Sequence, residues 1–267
     1  MARMSRHREF AVFRILASCL LGLSLVSLPV HGAHGQAARR AEPIRLEPQR
    51  PGQTDVYILS FGLWGPQSVF ESEARGAARI LEKLYGSKGR TIVRFNTKRQ
   101  AGATPQTLLA AAEAAGRTLD PAEDVVVLVL TSHGAPEGIG LVAGRDTRLI
   151  TPADVGRLLD RTGARHRVVI VSACYSGIFA RALADERTLV ITAAAADKPS
   201  FGCRDGATWT YFGDAFFNKA LRGEARLDAA FEKARSLVTQ RERREGFDPS
   251  NPQIAGGSQV LERLGAR

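Results

Sequence analysis

Apolar and polar residues alternate along the chain in blocks that predict strands and helices in turn. Short apolar runs rich in β-branched residues predict strands, and the amphipathic segments between them predict helices. Strands that are apolar throughout are typical of a parallel sheet covered on both faces. The predicted strands lie at 56–61, 91–95, 125–130, 168–171 and 189–193, with an edge strand at 253–255, and the predicted helices lie at 69–85, 104–115, 151–160, 176–184, 208–221 and 227–244.

This order of elements predicts an α/β fold built on a mainly parallel six-stranded sheet with helices on both faces. Two helix starts are also marked locally, because Thr104-Pro105 and Thr151-Pro152 place a capping threonine before a proline in the first turn. No internal repeat and no linker divides these elements, so residues 54–267 are predicted to form one domain.

The first 35 residues differ from the rest and predict a signal peptide, 1–35. Four arginines form a basic region, Ile15–Val30 forms an apolar core, and small residues at 33–37 offer a cleavage site. An uncleaved membrane anchor is less well supported, because the apolar run is short for a span. Leu16-Ala-Ser-Cys19 resembles a lipobox, but most of the apolar core lies after Cys19, which disfavours lipidation there. We therefore expect a periplasmic or secreted protein that meets the membrane only through its signal segment.

The remaining composition limits the classes of function. Residues 36–53 are rich in Ala, Arg, Pro and Glu without periodicity and predict an exposed linker. The net charge is +10 for the whole chain, and about +7 once the signal peptide with its four arginines and one glutamate is removed. Because the basic residues are scattered among acidic ones, we expect no nucleic-acid partner. Only Cys174 and Cys203 remain in the mature chain, too few for a disulfide framework.

Two predicted strands each lead into a reactive side chain. The strand at 125–130 is followed by Ser132-His133-Gly134, and the strand at 168–171 is followed by Ser172-Ala-Cys174-Tyr-Ser-Gly177. The carboxyl ends of parallel strands meet at one edge of a sheet, where ligands bind in open α/β folds, so the histidine and the cysteine are expected to share this edge. An imidazole and a thiol in this place are what a cysteine hydrolase requires.

Cys174 is the predicted nucleophile. It lies between a strand and a helix, whose free N–H groups favour a negatively charged sulfur. The N–H groups of Gly134 and Cys174 are candidates for the oxyanion hole that holds a tetrahedral intermediate, and Gly177 allows close approach of the backbone. Taken singly, the two reactive residues have simpler interpretations, a buried structural cysteine and a histidine that ends a strand. Their pairing on neighbouring strand ends favours catalysis.

Other kinds of site receive less support. His166 lies between Arg165 and Arg167 and is expected at the solvated surface. No histidine follows Cys174, which excludes the residue order of α/β-hydrolases. No His or Cys pair has the spacing of metal ligands, and neither glycine-rich nucleotide motif is present, so we expect no metal and no cofactor.

With these motifs the chain resembles the legumain family of caspase-fold cysteine peptidases, particularly its bacterial exported members. The resemblance implies a caspase-like fold, a peptide or protein substrate, and an acyl-enzyme that water or an amine resolves. It implies Cys174 as nucleophile, His133 as proton donor to the leaving amine and Gly134 as oxyanion donor. The histidine is then expected to stand further from the sulfur than in papain-like enzymes. The likeness covers about 55–257 and includes Leu189–Asp197, Ser200-Phe-Gly-Cys203, Trp209–Asp214 and Ser250–Ile254.

The resemblance also implies where the substrate side chain is bound. In the family, the strand and loop after the fifth strand line the S1 pocket, which here indicates Ser200 and Asp214. Ser172, before Ala173-Cys174, is the third candidate for binding the substrate. Eukaryotic legumains cut after Asn, but Ser172 stands where they carry an acid, and Phe61–Gly65 lacks their Asn and Arg pattern. These departures argue against carrying over Asn specificity. Asp214 has an alternative interpretation as a carboxylate on a helix face, and Cys203 matches a family cysteine that is expected to be packed.

Three hypotheses about function follow. The first is an exported cysteine endopeptidase with a Cys174–His133 dyad. The second is a transamidase or peptide ligase, which would use the same dyad and pass the acyl group to an amine instead of water. The third is a caspase-like binding scaffold without activity. The presence of both His133 and Cys174 argues against it, because a protein that only binds does not need them.

Overall fold

Residues 44–265 are described by the computed structural model, and the predicted signal peptide lies outside them. Strands and helices alternate along this part of the chain. The strands are β1 (Val56–Gly62), β2 (Thr91–Phe95), β3 (Val125–Thr131), β4 (Gly134–Ala135), β5 (Gly138–Ala143), β6 (Asp146–Ile150), β7 (His166–Ser172), β8 (Thr188–Thr192) and β9 (Gln253–Ala255). The helices are α1 (Ser68–Tyr85), α2 (Pro105–Gly116), α3 (Pro152–Thr162), α4 (Gly177–Leu183), α5 (one α-helical turn, Tyr211–Gly213, continued as a π-helix, Asp214–Ala220), α6 (Leu227–Glu245) and α7 (Ser258–Gly265).

The larger sheet has six strands in the order β2–β1–β3–β7–β8–β9. Neighbouring strands are parallel throughout, except that β9 is antiparallel to β8. The prediction of a mainly parallel six-stranded sheet with a last edge strand at 253–255 is therefore confirmed.

Side chains of the central strands alternate between two apolar cores, one on each face of the sheet. Along β1, Tyr57, Leu59 and Phe61 belong to the core that includes α2, α3 and α4. Val56 and Ile58 belong to the core that includes α1, α5, α6 and α7. Because both faces are covered, β1 is buried along its whole length and its sequence is apolar rather than alternating. No helix in the described part of the chain is long and apolar enough to cross a membrane.

The two Thr-Pro helix starts have the predicted geometry. Thr104 Oγ1 accepts the N–H of Thr107 at 3.2 Å, and Thr151 Oγ1 accepts the N–H of Asp154 at 3.3 Å. In return, the side chains of Thr107 and Asp154 accept the backbone N–H of the capping threonines at 2.8 and 2.9 Å. These reciprocal bonds satisfy helix N–H groups that would otherwise lack partners, and they set where α2 and α3 begin.

Three features lie outside the sequence prediction. A second sheet of β4, β5 and β6 directly follows His133. Its strand β6 is mostly exposed and β5 contains two glycines, so neither produces an apolar run that would predict a strand. The short helix α7 contributes Val260 to the core. The helix predicted at 208–221 begins later, at Tyr211, and continues with π-helical geometry.

The predicted linker at 36–53 is too long at its C-terminal end. Ile44 and Leu46 are partly buried against the apolar core on the α2 side of the sheet. The N–H of Glu47 donates to the Gly89 carbonyl at 2.9 Å. Within the described residues, the end of the predicted linker therefore packs against the domain through two apolar side chains instead of being fully exposed.

His166 contradicts the prediction of a solvated surface residue. It is the first residue of β7 and is only 8% exposed. Burial lowers its pKa, and the nearby charges of Arg263, Arg187 and Arg165 lower it further. Because β7 begins two residues earlier than predicted, the histidine joins the sheet instead of the polar segment before it.

Candidate active site

The ends of β3 and β7 bring the two candidate catalytic residues to one edge of the sheet. The strands are parallel neighbours, and their last residues, Thr131 and Ser172, are paired. The N–H of Ser132 donates to the Ser172 carbonyl at 3.2 Å, so the pairing continues past the strands. His133 and Cys174 each follow two residues after a paired strand end. The two segments therefore lie side by side, as the strand order implied.

Gly134 lies directly against the backbone of Cys174. A Cβ atom at position 134 would be 1.9 Å from the Cys174 carbonyl oxygen, so a larger residue would force the main chain apart. Gly177 makes a similar contact, since a Cβ atom there would be 2.4 Å from the nitrogen of Ala196. The two glycines thus allow main chain to pack on main chain around Cys174. Gly134 therefore lies in direct backbone contact with Cys174.

His133 is held by Gln67 and by two aromatic rings. Its Nε2 atom hydrogen bonds to Gln67 Oε1, and Trp64 and Phe70 meet the imidazole at steep angles, with ring centroids 4.8 and 5.1 Å away. Gln67 Nε2 donates to the carbonyl of Cys203 at 2.7 Å, which determines the orientation of the amide. Because an amide oxygen only accepts hydrogen bonds, Nε2 carries the proton of the neutral ring, and Nδ1 is the nitrogen that can take one up.

The surroundings of His133 favour its neutral form. Burial lowers the pKa of the imidazole below its ordinary 6.5, because desolvation disfavours the charged ring. A neutral imidazole can accept the proton of a thiol and later return it to a leaving amine.

The sulfur of Cys174 contacts Ser200. The Ser200 N–H donates to Sγ at 3.2 Å, and Sγ lies 3.4 Å from the Ser200 carbonyl oxygen and 3.7 Å from its Oγ. Cys174 is a half-buried free thiol. Within the described residues, the Cys174 sulfur forms hydrogen bonds to Ser200, and the His133 ring forms one to Gln67. In this part of the chain, the sulfur and the ring form no hydrogen bond to one another.

A strained turn follows Cys174. Tyr175 has a φ of +56°, a left-handed conformation that side chains other than glycine rarely adopt. Its N–H donates to the Lys198 carbonyl at 2.8 Å, which holds the turn in place. The chain thereby passes from β7 into α4 with Cys174 directly before the turn, and backbone strain of this kind concentrates at functional sites.

The three predicted substrate-binding residues have different surroundings. Ser200 touches the sulfur of Cys174. Ser172 is 1% exposed, and its Oγ hydrogen bonds to Thr210 Oγ1 at 3.1 Å, so it lies behind the site instead of on an open wall. Asp214 pairs with Lys219 at 2.6 Å and lies 4.0 Å from Arg241. These contacts on α5 and α6 favour the alternative interpretation of Asp214 as a helix-face carboxylate.

Cys203, which was expected to be packed, is a half-buried free thiol, like Cys174. Burial raises the pKa of the Cys203 thiol to about 12. A thiol of this kind remains protonated at neutral pH and is a poor nucleophile.

Sequence reasoning did not identify Gln67 or Glu73. Gln67 lies in the irregular segment between β1 and α1, where no periodicity distinguishes one polar residue from another. Glu73 did leave a signal, because it shares the buried stripe of α1 with Ala77 and Leu81 at helical spacing. A charged residue on an apolar stripe indicates a buried group with hydrogen-bond partners. Among residues 44–265, no cluster of His, Cys, Asp and Glu has the arrangement of a metal site.

Comparison with known proteins extends these observations. The peptidase C13 family matches the sequence over residues 106–258, more than half of the chain, a range that includes both His133 and Cys174. No curated protein matches the chain. Among solved structures, the fold is similar to that of caspase-1 from Spodoptera frugiperda, with a TM-score of 0.51 and 13% identity over 82% of this chain and 91% of the caspase chain. At this identity the likeness concerns the fold alone, and it confirms the expected caspase-like α/β architecture.

Proposed function

The chain belongs to the peptidase C13 family, the legumain family, and is a cysteine peptidase. From this premise we propose that it is an exported endopeptidase that forms an acyl-enzyme at Cys174. One observation carries the proposal: His133 and Cys174 leave adjacent parallel strands at the same edge, with Gly134 against the Cys174 backbone. A reactive thiol, a proton acceptor and a main-chain donor then converge on one place, as acyl transfer requires.

The reaction divides into two steps that use the same residues. Cys174 Sγ attacks the carbonyl carbon of the peptide bond, and His133 Nδ1 takes the thiol proton and then donates it to the leaving amine. The N–H groups of Gly134 and Cys174 stabilise the negative oxygen, and each such donor is typically worth ~10²–10³ in rate. In the second step His133 removes a proton from water, whose oxygen attacks the thioester carbonyl. The C–S bond then breaks, the acid is released, and Cys174 Sγ recovers the proton from His133. Gln67 keeps the imidazole in the tautomer that this exchange requires.

The substrate is a peptide or protein, and its acyl-side residue is expected to meet Ser200. This residue contacts the sulfur through its N–H, its carbonyl and its hydroxyl, so it lies beside any bound acyl group. The buried Ser172 and the ion-paired Asp214 are less well placed for direct contact. The segment 200–210, which we term the 200–210 loop, is therefore the main candidate for selecting substrates.

Export is part of the proposal because of the N-terminal sequence. The basic region, apolar core and small residues of 1–35 have the arrangement of a cleaved signal. A peptidase with this leader would act in the periplasm or outside the cell.

A cleavage profile of the mature protein on a peptide library tests the proposal. Wild type and Cys203→Ala are expected to cleave the same peptides, and Cys174→Ala to cleave none, with products identified by mass spectrometry. Full activity in Cys174→Ala would reject the proposed nucleophile. Adding an acceptor amine such as glycinamide separates hydrolysis from ligation, because a transamidase would give amide products in place of free acids. An absence of products from wild type would favour the binding scaffold.

A further inference from the structure

Glu73 is a completely buried carboxyl group directly behind the candidate active site. It lies on α1 with 0% exposure. Its Oε1 accepts the hydroxyl of Thr131 at 2.8 Å, and its Oε2 accepts the backbone N–H of Thr210 at 2.8 Å. The carboxyl also packs closely on Gly213, where a Cβ atom would lie 2.0 Å from Oε2. One side chain thus joins a catalytic strand to the start of α5.

The partners of Glu73 lie next to the residues that carry the chemistry. Thr131 ends β3, two residues before His133. Thr210 caps α5, and its Oγ1 accepts the N–H of Gly213 at 2.9 Å. The same Oγ1 lies 3.1 Å from the hydroxyl of Ser172, the last residue of β7 and two residues before Cys174. Through these bonds Glu73 connects the ends of β3 and β7 with the end of the 200–210 loop.

Helix α1 also holds the 200–210 loop at other points. The N–H and Oγ of Ser68 both donate to Asp205, at 2.9 and 2.8 Å. Trp209 packs on Gly76, where a Cβ atom would be 2.4 Å from the indole. Glu73 and Gly76 are one helical turn apart, and they contact the consecutive residues Trp209 and Thr210. The carboxyl is therefore the buried member of a set of contacts between α1 and the loop.

We propose that Glu73 is a positioning residue for the peptidase site, which fixes the ends of β3 and β7 and the 200–210 loop relative to one another. This inference rests on the proposed function. It goes beyond the Cys174–His133 dyad, because it assigns a role to a side chain that touches neither reacting group.

A neutral carboxyl group can perform this role. Within the described residues no Lys or Arg forms an ion pair with Glu73, and burial raises its pKa. The charged form would be costly in such a place. A protonated acid can still accept the Thr210 N–H, and it keeps the Thr131 contact with the direction reversed, so that the hydroxyl accepts. A glutamine has the same shape and the same pair of functions, with its oxygen toward Thr210 and its NH₂ group toward the Thr131 hydroxyl. We therefore expect Gln to replace Glu73 and Ala to fail.

The test compares Glu73→Ala and Glu73→Gln with a matched pair, Glu242→Ala and Glu242→Gln. Glu242 is also a buried glutamate, 2% exposed, and its two oxygens lie 3.2 Å from the N–H of Ser250. It lies on α6, and within the described residues its side-chain hydrogen bonds go to Ser250 instead of to the three segments that Glu73 joins. Each variant is assayed for Tm, for kcat and KM on a library-derived peptide, and for the rate of Cys174 alkylation by iodoacetamide. Rates are measured below the lowest Tm of the set.

Glu73→Ala is expected to lower kcat/KM by about tenfold or more, because loss of reactive geometry costs rate steeply. Glu73→Gln is expected to stay within about threefold of wild type, and Glu242→Ala to lose stability without a comparable loss in kcat/KM. If Glu73→Ala does not fold, Thr131→Val removes one of the two hydrogen bonds with little change of shape and is expected to lower kcat/KM in the same direction.

Two results would overturn the inference. One is a Glu73→Ala enzyme whose kinetics match those of Glu242→Ala, since the carboxyl would then serve stability alone. The other is a Glu73→Gln variant as impaired as Glu73→Ala, since a negative charge would then be required. If wild type cleaves no peptide, the proposed function fails, but the alkylation rates still test Glu73. In that case equal alkylation of Cys174 in wild type and Glu73→Ala would reject the positioning role as well.

Discussion

Replacing Gln67 with leucine tests how His133, the proposed catalytic histidine, is oriented. The Gln67 amide bonds to His133 Nε2 through its oxygen and to the Cys203 carbonyl through its nitrogen, so leucine removes both bonds while keeping a similar volume. The imidazole would still be enclosed by Trp64 and Phe70. We therefore expect the ring to remain in the site but to lose its fixed tautomer and orientation.

The expected size of the effect follows from the hydrogen bond to the ring. Leaving one partly buried polar group without its partner costs about 1–3 kcal/mol. If this cost appears fully in the transition state, kcat/KM falls about 5- to 150-fold, since each ~1.4 kcal/mol corresponds to a factor of ten. KM should change about as much as in Ser68→Ala, because both variants release hydrogen bonding to the 200–210 loop, whereas kcat should fall only where the bond to the histidine is lost.

The assay is the pH dependence of kcat and kcat/KM on a library-derived peptide, with Ser68→Ala as the matched control. Ser68 is the adjacent residue and also binds the 200–210 loop, through Asp205, whereas the hydrogen bond to the His133 ring comes from Gln67. Gln67→Leu is expected to lower kcat, and Ser68→Ala is expected to affect mainly KM. Equal kinetics in wild type and Gln67→Leu, or the same loss of kcat in both variants, would refute the orienting role of the amide.

Three further predictions concern the thiols, the pH profile and the mature N-terminus. Iodoacetamide should modify Cys174 far faster than Cys203, because burial raises the pKa of the Cys203 thiol to about 12. Peptide mapping of the alkylated native protein measures both rates, and equal modification of the two cysteines would contradict the prediction. Burial lowers the pKa of His133, so the ring gains a proton only below pH 6.5. The acid-side fall of kcat/KM should therefore have its midpoint below pH 6.5, and a midpoint at or above 6.5 would contradict the lowered pKa. N-terminal sequencing of the exported protein should find a start between about 33 and 38, the region of small residues, whereas a blocked, diacylglycerol-modified Cys19 would indicate a lipoprotein.

The main sheet could be predicted because each of its strands is specified locally. Strands buried on both faces leave continuous apolar runs, as at 125–130, and Thr104 and Thr151 mark helix starts through bonds to residues three positions away. The meeting of His133 and Cys174 follows from strand order, since parallel neighbours end at the same edge. These features need only short-range sequence information and general rules of topology.

The supporting residues could not be predicted in the same way, because their roles depend on partners distant in sequence. Gln67 reaches Cys203, and Glu73 reaches Thr131 and Thr210, across separations that no local pattern encodes. For Asp214 the family resemblance suggested a role in the substrate pocket. In the structure its carboxylate forms ion pairs with Lys219 and Arg241 on a helix face.

In the proposed function, the contacts of the 200–210 loop separate catalysis from substrate choice. Gln67 binds the loop through the carbonyl of Cys203, and Ser200 binds the Cys174 sulfur through its backbone N–H, so both contacts depend on main-chain atoms. Side chains at these two positions can therefore change without removing the bonds that hold the histidine and the sulfur. Thr210 also meets Glu73 through its backbone N–H, so the far end of the loop is held in the same way. A loop fixed by its backbone at three points can present different side chains to a substrate while the site behind it keeps its geometry. A peptidase fold that is adapted to different substrates requires this combination.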